Sequence, residues 1–443
     1  MGITAPGVQN SQPIRTIAEA GTHMTRVCFK HGPPARTGIE LEWLLIDPHD
    51  PDRRPDVSTL ATLLGPHAPP TLVPDSPAVP LPRGGLITVE PGGQVEISSP
   101  PATSVAGLIA GMSADIQALQ ALLAPAGFEL GSLAADPHRR PHRILTTPRY
   151  NAMADWFDRF GPAGRVMMCS TAALQVCLDL GTRAEAGNRW QAAHQLGPVL
   201  LAAFANSPRT AGNLLPAAAS TRMAAWWQLD PERSQPPKSL DLDSYPERVL
   251  DTHVLARHRA GGDWRPEQPM TLRGWLESGE PLTTADIDLH LSTLFPPVRP
   301  QGYLEFRYLD AQPGEEWVAP VALLAALFAS PDRVQQVLAC TAEATDRWPQ
   351  AIEQGLADPV LASMAADLLD IALPGLAGLD LPPAVRQAVD RTLYRRLCEG
   401  ISPGSEALAA GLATAAAPAA DVPAAAPAAD LPTAGLPTEE GSR

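Results

Sequence analysis

The sequence predicts an α+β protein built around a largely antiparallel sheet. Four segments alternate apolar and polar residues, which is typical of strands with one buried face. Six longer segments repeat apolar residues at helical spacing. Because the two kinds of segment do not alternate regularly along the chain, a parallel sheet of strand–helix–strand units is not favoured. We expect one large domain of mixed structure.

Each strand segment is predicted to have one apolar and one polar face. The segments are residues 38–46, 86–98, 171–180 and 303–309. The second contains Pro91, Gly92 and Gly93, and glycine lets a chain turn back sharply. Residues 86–90 and 94–98 are therefore predicted to be two strands joined by this turn.

Helices are predicted between and after the strands. The helical patterns cover about 104–124, 187–206, 316–330, 332–347, 359–373 and 382–399. Ser104 and Ser330 stand where N-caps are expected, and Pro331 follows in the first turn. Residues 1–13 are polar and aperiodic, and 403–443 are rich in alanine and proline. Both ends are predicted to be disordered, which leaves 14–402 as the single folded domain.

Composition narrows the possible partners. Of the 443 residues, 48 are acidic and 33 basic, a net charge of −15, so nucleic acid and anionic membranes should be repelled. The 5 cysteines are odd in number and form no CxxC pair, which favours a reducing, cytoplasmic location. The most apolar run, residues 317–331, is shorter than the ~20 residues that span a bilayer. No membrane partner is expected, and nothing indicates an oligomeric state.

Carboxylates collect on the predicted polar faces. Glu40 and Glu42 share one face of their strand, because alternate side chains point the same way. Taken alone, this pair would fit a solvated edge strand. Glu90 and Glu96, however, flank the Pro-Gly-Gly turn, and Glu305 lies on the polar face of the last strand. One shared sheet would therefore gather five carboxylates in one place.

The negative charge of such a carboxylate cluster must be compensated. Buried like charges are costly, and a cation that prefers oxygen ligands is the natural remedy. Carboxylates with the Gln175 amide, and without Cys or His, favour Mg²⁺ or Mn²⁺ over zinc. Several such ions usually serve a nucleoside triphosphate. The chain contains no GxxxxGK[ST] sequence, which excludes the P-loop class.

Six motifs together resemble one family. In chain order they are GIELEW, ITVEPGGQVEISSPP, RYNAM, MCSTAALQVCLDLG, FANSP and YLEFRYLDA, between about residues 38 and 310. They resemble glutamate-cysteine ligases of the plant-like carboxylate-amine ligase family, including its bacterial ergothioneine-pathway branch. The resemblance implies a glutamine-synthetase-like fold, in which a curved, mainly antiparallel sheet surrounded by helices cradles ATP and two or three Mg²⁺ or Mn²⁺ ions.

The resemblance also implies residue roles. The metal ligands would be Glu40, Glu42, Glu90, Glu96, Gln175 and Glu305, with Gln175 at a position where some relatives have His. Glu305 and Arg307 would be catalytic, Arg307 contacting the transferred phosphate. Arg149 and Arg222 would bind substrate carboxylates.

The implied reaction joins the γ-carboxylate of L-glutamate to the amine of L-cysteine through γ-glutamyl phosphate, with ATP giving ADP and phosphate. Two alternatives stay open: a related ligase that uses another amine, and a non-catalytic nucleotide- or metal-binding relative. Trp226 and Trp227 could stack on adenine, although adjacent aromatic residues more often pack in a core. Cys177 is expected to be a small buried thiol.

Overall fold

An antiparallel sheet of six strands lies at the centre of the computed structural model, which describes residues 11–412. Its strand order is β4-β5-β2-β7-β10-β9, and two further pairs, β1-β8 and β3-β6, lie outside it. The strands of the described chain are β1 Pro13–Ile14, β2 Thr37–Trp43, β3 Leu45–Ile46, β4 Leu86–Val89, β5 Val95–Ser98, β6 Glu129–Leu130, β7 Ala173–Asp179, β8 Leu282–Thr283, β9 Val298–Pro300 and β10 Tyr303–Asp310. The predicted strands and their antiparallel arrangement are confirmed.

Helices surround this sheet. Those of the described chain are α1 Ile17–Cys28, α2 Val57–Leu64, α3 Val105–Leu123, α4 Pro148–Phe157, α5 Ala163–Cys169, α6 Ala186–Ala203, α7 Thr221–Trp227, α8 Pro231–Ser234, α9 Tyr245–Asp251, α10 Leu272–Glu277, α11 Thr284–Ser292, α12 Val318–Leu327, α13 Pro331–Cys340, α14 Trp348–Gln354, α15 Pro359–Ala377, α16 Pro383–Leu393 and α17 Pro403–Ala409. All six predicted helical segments contain a helix. As predicted, the side chains of Ser104 and Ser330 accept backbone hydrogen bonds at the starts of α3 and α13.

The apolar side of the sheet carries the core. Helix α6 packs against β10 and α12 packs against β7, and both helices are buried along nearly their whole length. Gly197 of α6 lets α14 approach closely, because a Cβ at this position would lie 2.3 Å from the Trp348 ring. The sheet is therefore covered by helices on the face opposite its acidic residues.

The turn between β4 and β5 brings Glu90 back beside Glu96. Gly93 has a φ of +91°, which side chains with a Cβ rarely adopt. A Cβ on Gly92 would lie 2.3 Å from the backbone oxygen of Cys169, so α5 closes tightly over the turn. The two glycines thus permit the predicted reversal and its contact with the next layer.

Both predicted domain boundaries need correction. Pro13 pairs with Thr283 in the β1-β8 ladder, so order begins before residue 14. Helix α17 lies beyond residue 402, with Pro403 and Ala407 buried. The sequence analysis did not predict this helix, because it is short and directly precedes the alanine-rich stretch. Residues 1–10 and 413–443 lie outside the described residues.

Two described helical stretches, Val105–Ala126 and Pro359–Ala377, are long and apolar enough to cross a membrane by length and composition alone. Core helices also pass this test, and both stretches turn buried apolar residues toward the protein interior. They are therefore weak evidence for a membrane span.

Candidate active site

The strand register places the predicted acidic residues on one face of the central sheet. Glu40 pairs directly with Gln175, and Glu42 pairs with Glu96. On the other side of β7, Glu305 pairs with Cys177. The acidic residues from distant parts of the sequence thus share one surface, which we call the polar face of the sheet.

Three of the carboxylates on and beside this face are electrostatically strained. Burial, reinforced by Glu40 and Glu42, raises the pKa of Glu96 to about 8. Burial and the charge of Glu90 raise the pKa of Glu42 to about 7. Burial and the charge of Glu96 raise the pKa of Glu90, at the end of β4, to about 7. Mutual repulsion in a buried setting therefore disfavours the charged form of each carboxylate.

Hydrogen bonds offset part of this cost. Glu96 accepts from the Thr88 hydroxyl at 2.7 Å and from the Ser98 hydroxyl at 3.2 Å. Glu42 accepts from the backbone N–H of Ala173 and from Gln175 Nε2, both at 2.9 Å. We call Glu40, Glu42, Glu90 and Glu96 the acidic group.

Glu305 has the opposite electrostatic environment. Its side chain is only 1% exposed, and it accepts hydrogen bonds from Arg299 at 2.6 and 2.9 Å and from Arg307 at 2.7 Å. Burial alone would raise the pKa of Glu305, but the two guanidiniums outweigh it and lower that pKa to about 2. Glu305 is therefore ionised and bound between two cations.

Arg222 enters the same region from α7. Its guanidinium is buried, donates to the backbone oxygen of Arg307 at 2.7 Å and lies 3.5 Å from Asp310. Asp310 also accepts hydrogen bonds from Ser207 at 2.7 Å and from Ser220 at 3.0 Å. A buried polar network thus fixes Arg222 beside Arg307.

Arg149 is the second residue of α4, directly after Pro148. It donates to the backbone oxygen of Ser292 at 2.8 Å. Within residues 11–412, the buried Nε atoms of Arg149 and Arg307 have no hydrogen-bond acceptor. Buried donors without acceptors are costly, so both arginines suit an anionic ligand that would supply acceptors.

The fit to divalent cations differs between residues. The acidic group offers only oxygen donors, and a cation would relieve the repulsion that adds to burial in raising the pKa values of Glu42, Glu90 and Glu96, so the donor chemistry fits Mg²⁺ or Mn²⁺. Gln175 fits less well, because its amide oxygen accepts from Arg307 at 2.5 Å. Within residues 11–412, no group of three or more His, Cys, Asp or Glu side chains is positioned to hold a metal ion, so the fit rests on the donor chemistry.

The adjacent residues Trp226 and Trp227 have different surroundings. Trp227 stacks on Trp348, with ring centroids 6.0 Å apart, as expected of a packing residue. Trp226 lies beside both site arginines, its ring centroid 5.6 Å from the Arg307 guanidinium and 5.8 Å from that of Arg222. Burial raises the pKa of the half-buried Cys177 thiol well above its usual range, as expected of an unreactive cysteine.

Three residues that contact the site side chains were missed in the sequence. Arg299 lies in the three-residue strand β9, which is too short to show alternation and includes Pro300. Thr88 could have been found by parity, since it shares a face with Glu90 in the predicted strand. The anchor of Arg222, Asp310, is visible only once β10 and the start of α7 are placed together.

A sheet face on which buried carboxylates adjoin guanidiniums suits enzymes that transfer phosphoryl groups between anionic substrates, the class that includes ATP-dependent ligases. The chain belongs to glutamate-cysteine ligase family 2, which it matches over residues 36–367. The family resemblance of the six motifs is therefore confirmed.

Curated relatives match between two thirds and nearly all of the chain. The chain is 34% identical over 432 residues to "Glutamate--cysteine ligase EgtA" of Mycobacterium tuberculosis, covering 94% of this chain and 97% of that protein. It is 35% identical over 364 residues to the EgtA of Mycolicibacterium smegmatis, covering 80% and 83%. Against the chloroplastic glutamate–cysteine ligase of Brassica juncea, identity is 30% over 66% of this chain and 60% of that protein.

A solved structure shares the fold. The glutamate–cysteine ligase of Francisella tularensis, in complex with AMP, superposes with a TM-score of 0.52 over 87% of this chain and 86% of that chain. The two sequences are 14% identical, so the likeness concerns the fold.

Proposed function

We propose that this protein joins the γ-carboxylate of L-glutamate to the amine of L-cysteine, giving γ-glutamylcysteine, ADP and phosphate, and supplies ergothioneine biosynthesis. The observation that carries the proposal is that a group of carboxylates and a carboxylate–arginine pair lie next to each other on one face of the sheet. The acidic group on β2 and the β4–β5 hairpin adjoins the Glu305-Arg307 pair on β10 through Gln175. The EgtA relatives support the choice of substrates.

The chemistry requires activation of a carboxylate. A free carboxylate does not condense with an amine in water, so the glutamate γ-oxygen attacks the γ-phosphorus of ATP and ADP leaves. The cysteine nitrogen then attacks the acyl carbon of γ-glutamyl phosphate, phosphate leaves, and the nitrogen releases a proton. Arg307 stabilises negative charge that develops on the transferred phosphoryl group.

The remaining residues bind and orient. Arg149 and Arg222 hold substrate carboxylates, and the buried Nε of Arg149 supplies an unused donor for this purpose. Glu40, Glu42, Glu90 and Glu96 would hold two or three Mg²⁺ or Mn²⁺ ions. When bound, these ions neutralise phosphate charge. Gln175 and Glu305 remain candidate ligands by resemblance, although arginines occupy them in this structure.

We also propose a cytoplasmic enzyme without nucleic-acid or membrane partners. The net charge of −15 disfavours association with phosphate backbones or anionic lipid. The described cysteines are all free thiols, which suits a reducing compartment.

One assay separates this proposal from its alternatives. Purified protein is given ATP, Mg²⁺ and glutamate, and ADP release is measured with each of several amines in turn. Cysteine-dependent release, with γ-glutamylcysteine detected by mass spectrometry, supports the proposal. Release that depends on another amine would indicate a related ligase, and no release with any amine would favour a non-catalytic relative.

A further inference from the structure

Arg299 holds Glu305 by both carboxylate oxygens. The two residues are direct cross-strand partners on β9 and β10. Arg299 Nε donates to Oε2 at 2.6 Å, and Arg299 Nη2 donates to Oε1 at 2.9 Å. This two-bond geometry is the strongest pairing that an arginine and a carboxylate can make, and it restricts rotation of the carboxylate plane.

Gln301 contacts the same edge of the Arg299 guanidinium that faces Glu305. With the Gln301 amide turned so that its oxygen faces the guanidinium, that oxygen lies 2.7 Å from Arg299 Nε, whose hydrogen it shares with Glu305, and accepts from Nη2 at 2.9 Å. The Arg299 side chain is 14% exposed, so solvent competes little for its donors. Its position is therefore determined by β9 and by the turn that leads into β10.

The orientation of Glu305 determines the position of Arg307. Arg307 Nη1 donates to Glu305 Oε1 at 2.7 Å, the same oxygen that Arg299 Nη2 contacts. Without Arg299, the buried Glu305 carboxylate would keep only Arg307 as a side-chain donor within residues 11–412, because the Gln301 amide turns its oxygen to this side. Glu305 would then turn toward Arg307 and draw that guanidinium out of place.

We propose that Arg299 is a positioning residue of the active site, which acts through Glu305 to fix the guanidinium of Arg307. This inference rests on the proposed function, because it assigns Arg307 to the transferred phosphoryl group. Arg299 acts by orientation. From the outer strand of the sheet it holds the Glu305 carboxylate with two donors, and Glu305 in turn holds the Arg307 guanidinium, which contacts the transferred phosphoryl group.

The test compares Arg299→Ala with Arg299→Lys. Misplacement of a catalytic group by about 1 Å can cost ~10²-fold in rate, so we expect kcat of Arg299→Ala to fall by ~10²-fold. The KM values for ATP and glutamate should change by less than about threefold, because Arg149 and Arg222 are untouched. Lysine keeps the charge but not the two-donor geometry, and should restore only part of kcat. Added guanidinium ion should partly rescue Arg299→Ala and leave the lysine variant unchanged.

Arg257→Ala is the matched control. Arg257 is also a largely buried arginine, 17% exposed, and pairs with Glu280 away from the polar face. Its removal should leave kcat and guanidinium response unchanged. Folded Arg299→Ala or Arg299→Lys protein with wild-type kcat would overturn the inference. If Arg299→Ala does not fold, Arg299→Lys alone decides. Lack of activity in the wild type would instead refute the proposed function.

Discussion

Arg307 donates to the amide oxygen of Gln175 at 2.5 Å. The amide nitrogen of the same side chain donates to Glu42 at 2.9 Å and lies 3.5 Å from Glu96. The reversed amide would oppose oxygen to carboxylate and nitrogen to guanidinium, so only this orientation satisfies both neighbours. Gln175 therefore joins the acidic group to the arginines as a neutral link.

Replacing Gln175 by leucine should separate these two groups. The change leaves a buried carboxylate oxygen and a guanidinium nitrogen short of partners, which costs roughly 1–3 kcal/mol of unfolding free energy. Turnover should fall as well, since Arg307 loses one of its two side-chain anchors. Urea unfolding and steady-state kinetics measure the two effects. Gln117→Leu, on an exposed position of α3, is the control and should change neither.

Glu305→Gln and Arg307→Ala should each lower turnover by at least ~10²-fold. The first leaves Arg299 and Arg307 without the negative charge that holds them, and the second removes the donor to developing phosphate charge. Loss of a charge-stabilising group typically costs ~10²–10³-fold in kcat. Circular dichroism at 25 °C should still report the native helix content. Full activity in either purified variant would remove these residues from the mechanism.

Strand parity was sufficient to predict the acidic face, because side chains alternate whatever the neighbouring strands are. It placed Glu40 with Glu42, and the register of β2 with β5 has Glu96 opposite Glu42. Parity could not reveal Arg299 or the orientation of Gln175. Both depend on partners that only the folded sheet supplies. Strand β9 is too short to show an alternating pattern in the sequence, and the orientation of the Gln175 amide depends on charged groups from other strands.

Truncation of the chain should show whether helix α17 is part of the folded domain. The sequence predicts that a cut after residue 402 leaves activity unchanged, but α17 packs on the body. Glu406 pairs with the fully buried Arg396 at 2.7 Å, and Gly404 N–H donates to Ala205 at 2.9 Å. A cut after 402 should therefore lower the free energy of unfolding by roughly 1–3 kcal/mol, the cost of leaving buried polar groups unpaired.

A second truncation, after residue 412, tests the tail separately. It keeps α17 intact, so we expect wild-type stability and activity. Thermal melts and the ADP-release assay on both truncated proteins decide the point. Equal melting temperatures for the two truncations would show that α17 contributes nothing to stability.

The acidic group should make stability depend on pH. Its folded-state pKa values of about 7 for Glu42 and Glu90 and about 8 for Glu96 lie above the ordinary value of 4.5. Between about pH 4.5 and 8 these three carboxylates therefore bind more protons in the folded protein than in the unfolded chain, so their contribution to stability falls as pH rises. Glu305 does not contribute in this window, because its pKa of about 2 leaves it ionised in the folded protein.

We therefore expect the melting temperature of the metal-free enzyme to be lower at pH 8 than at pH 6, and MgCl₂ to restore it at pH 8 by compensating the acidic group. Glu96→Gln removes the carboxylate with the highest pKa of the three and should flatten the pH dependence and weaken the magnesium response. Calorimetry on both proteins at the two pH values, with and without MgCl₂, gives the comparison. A wild-type melting temperature that rises from pH 6 to pH 8 while that of Glu96→Gln rises equally would show that these carboxylates do not repel one another.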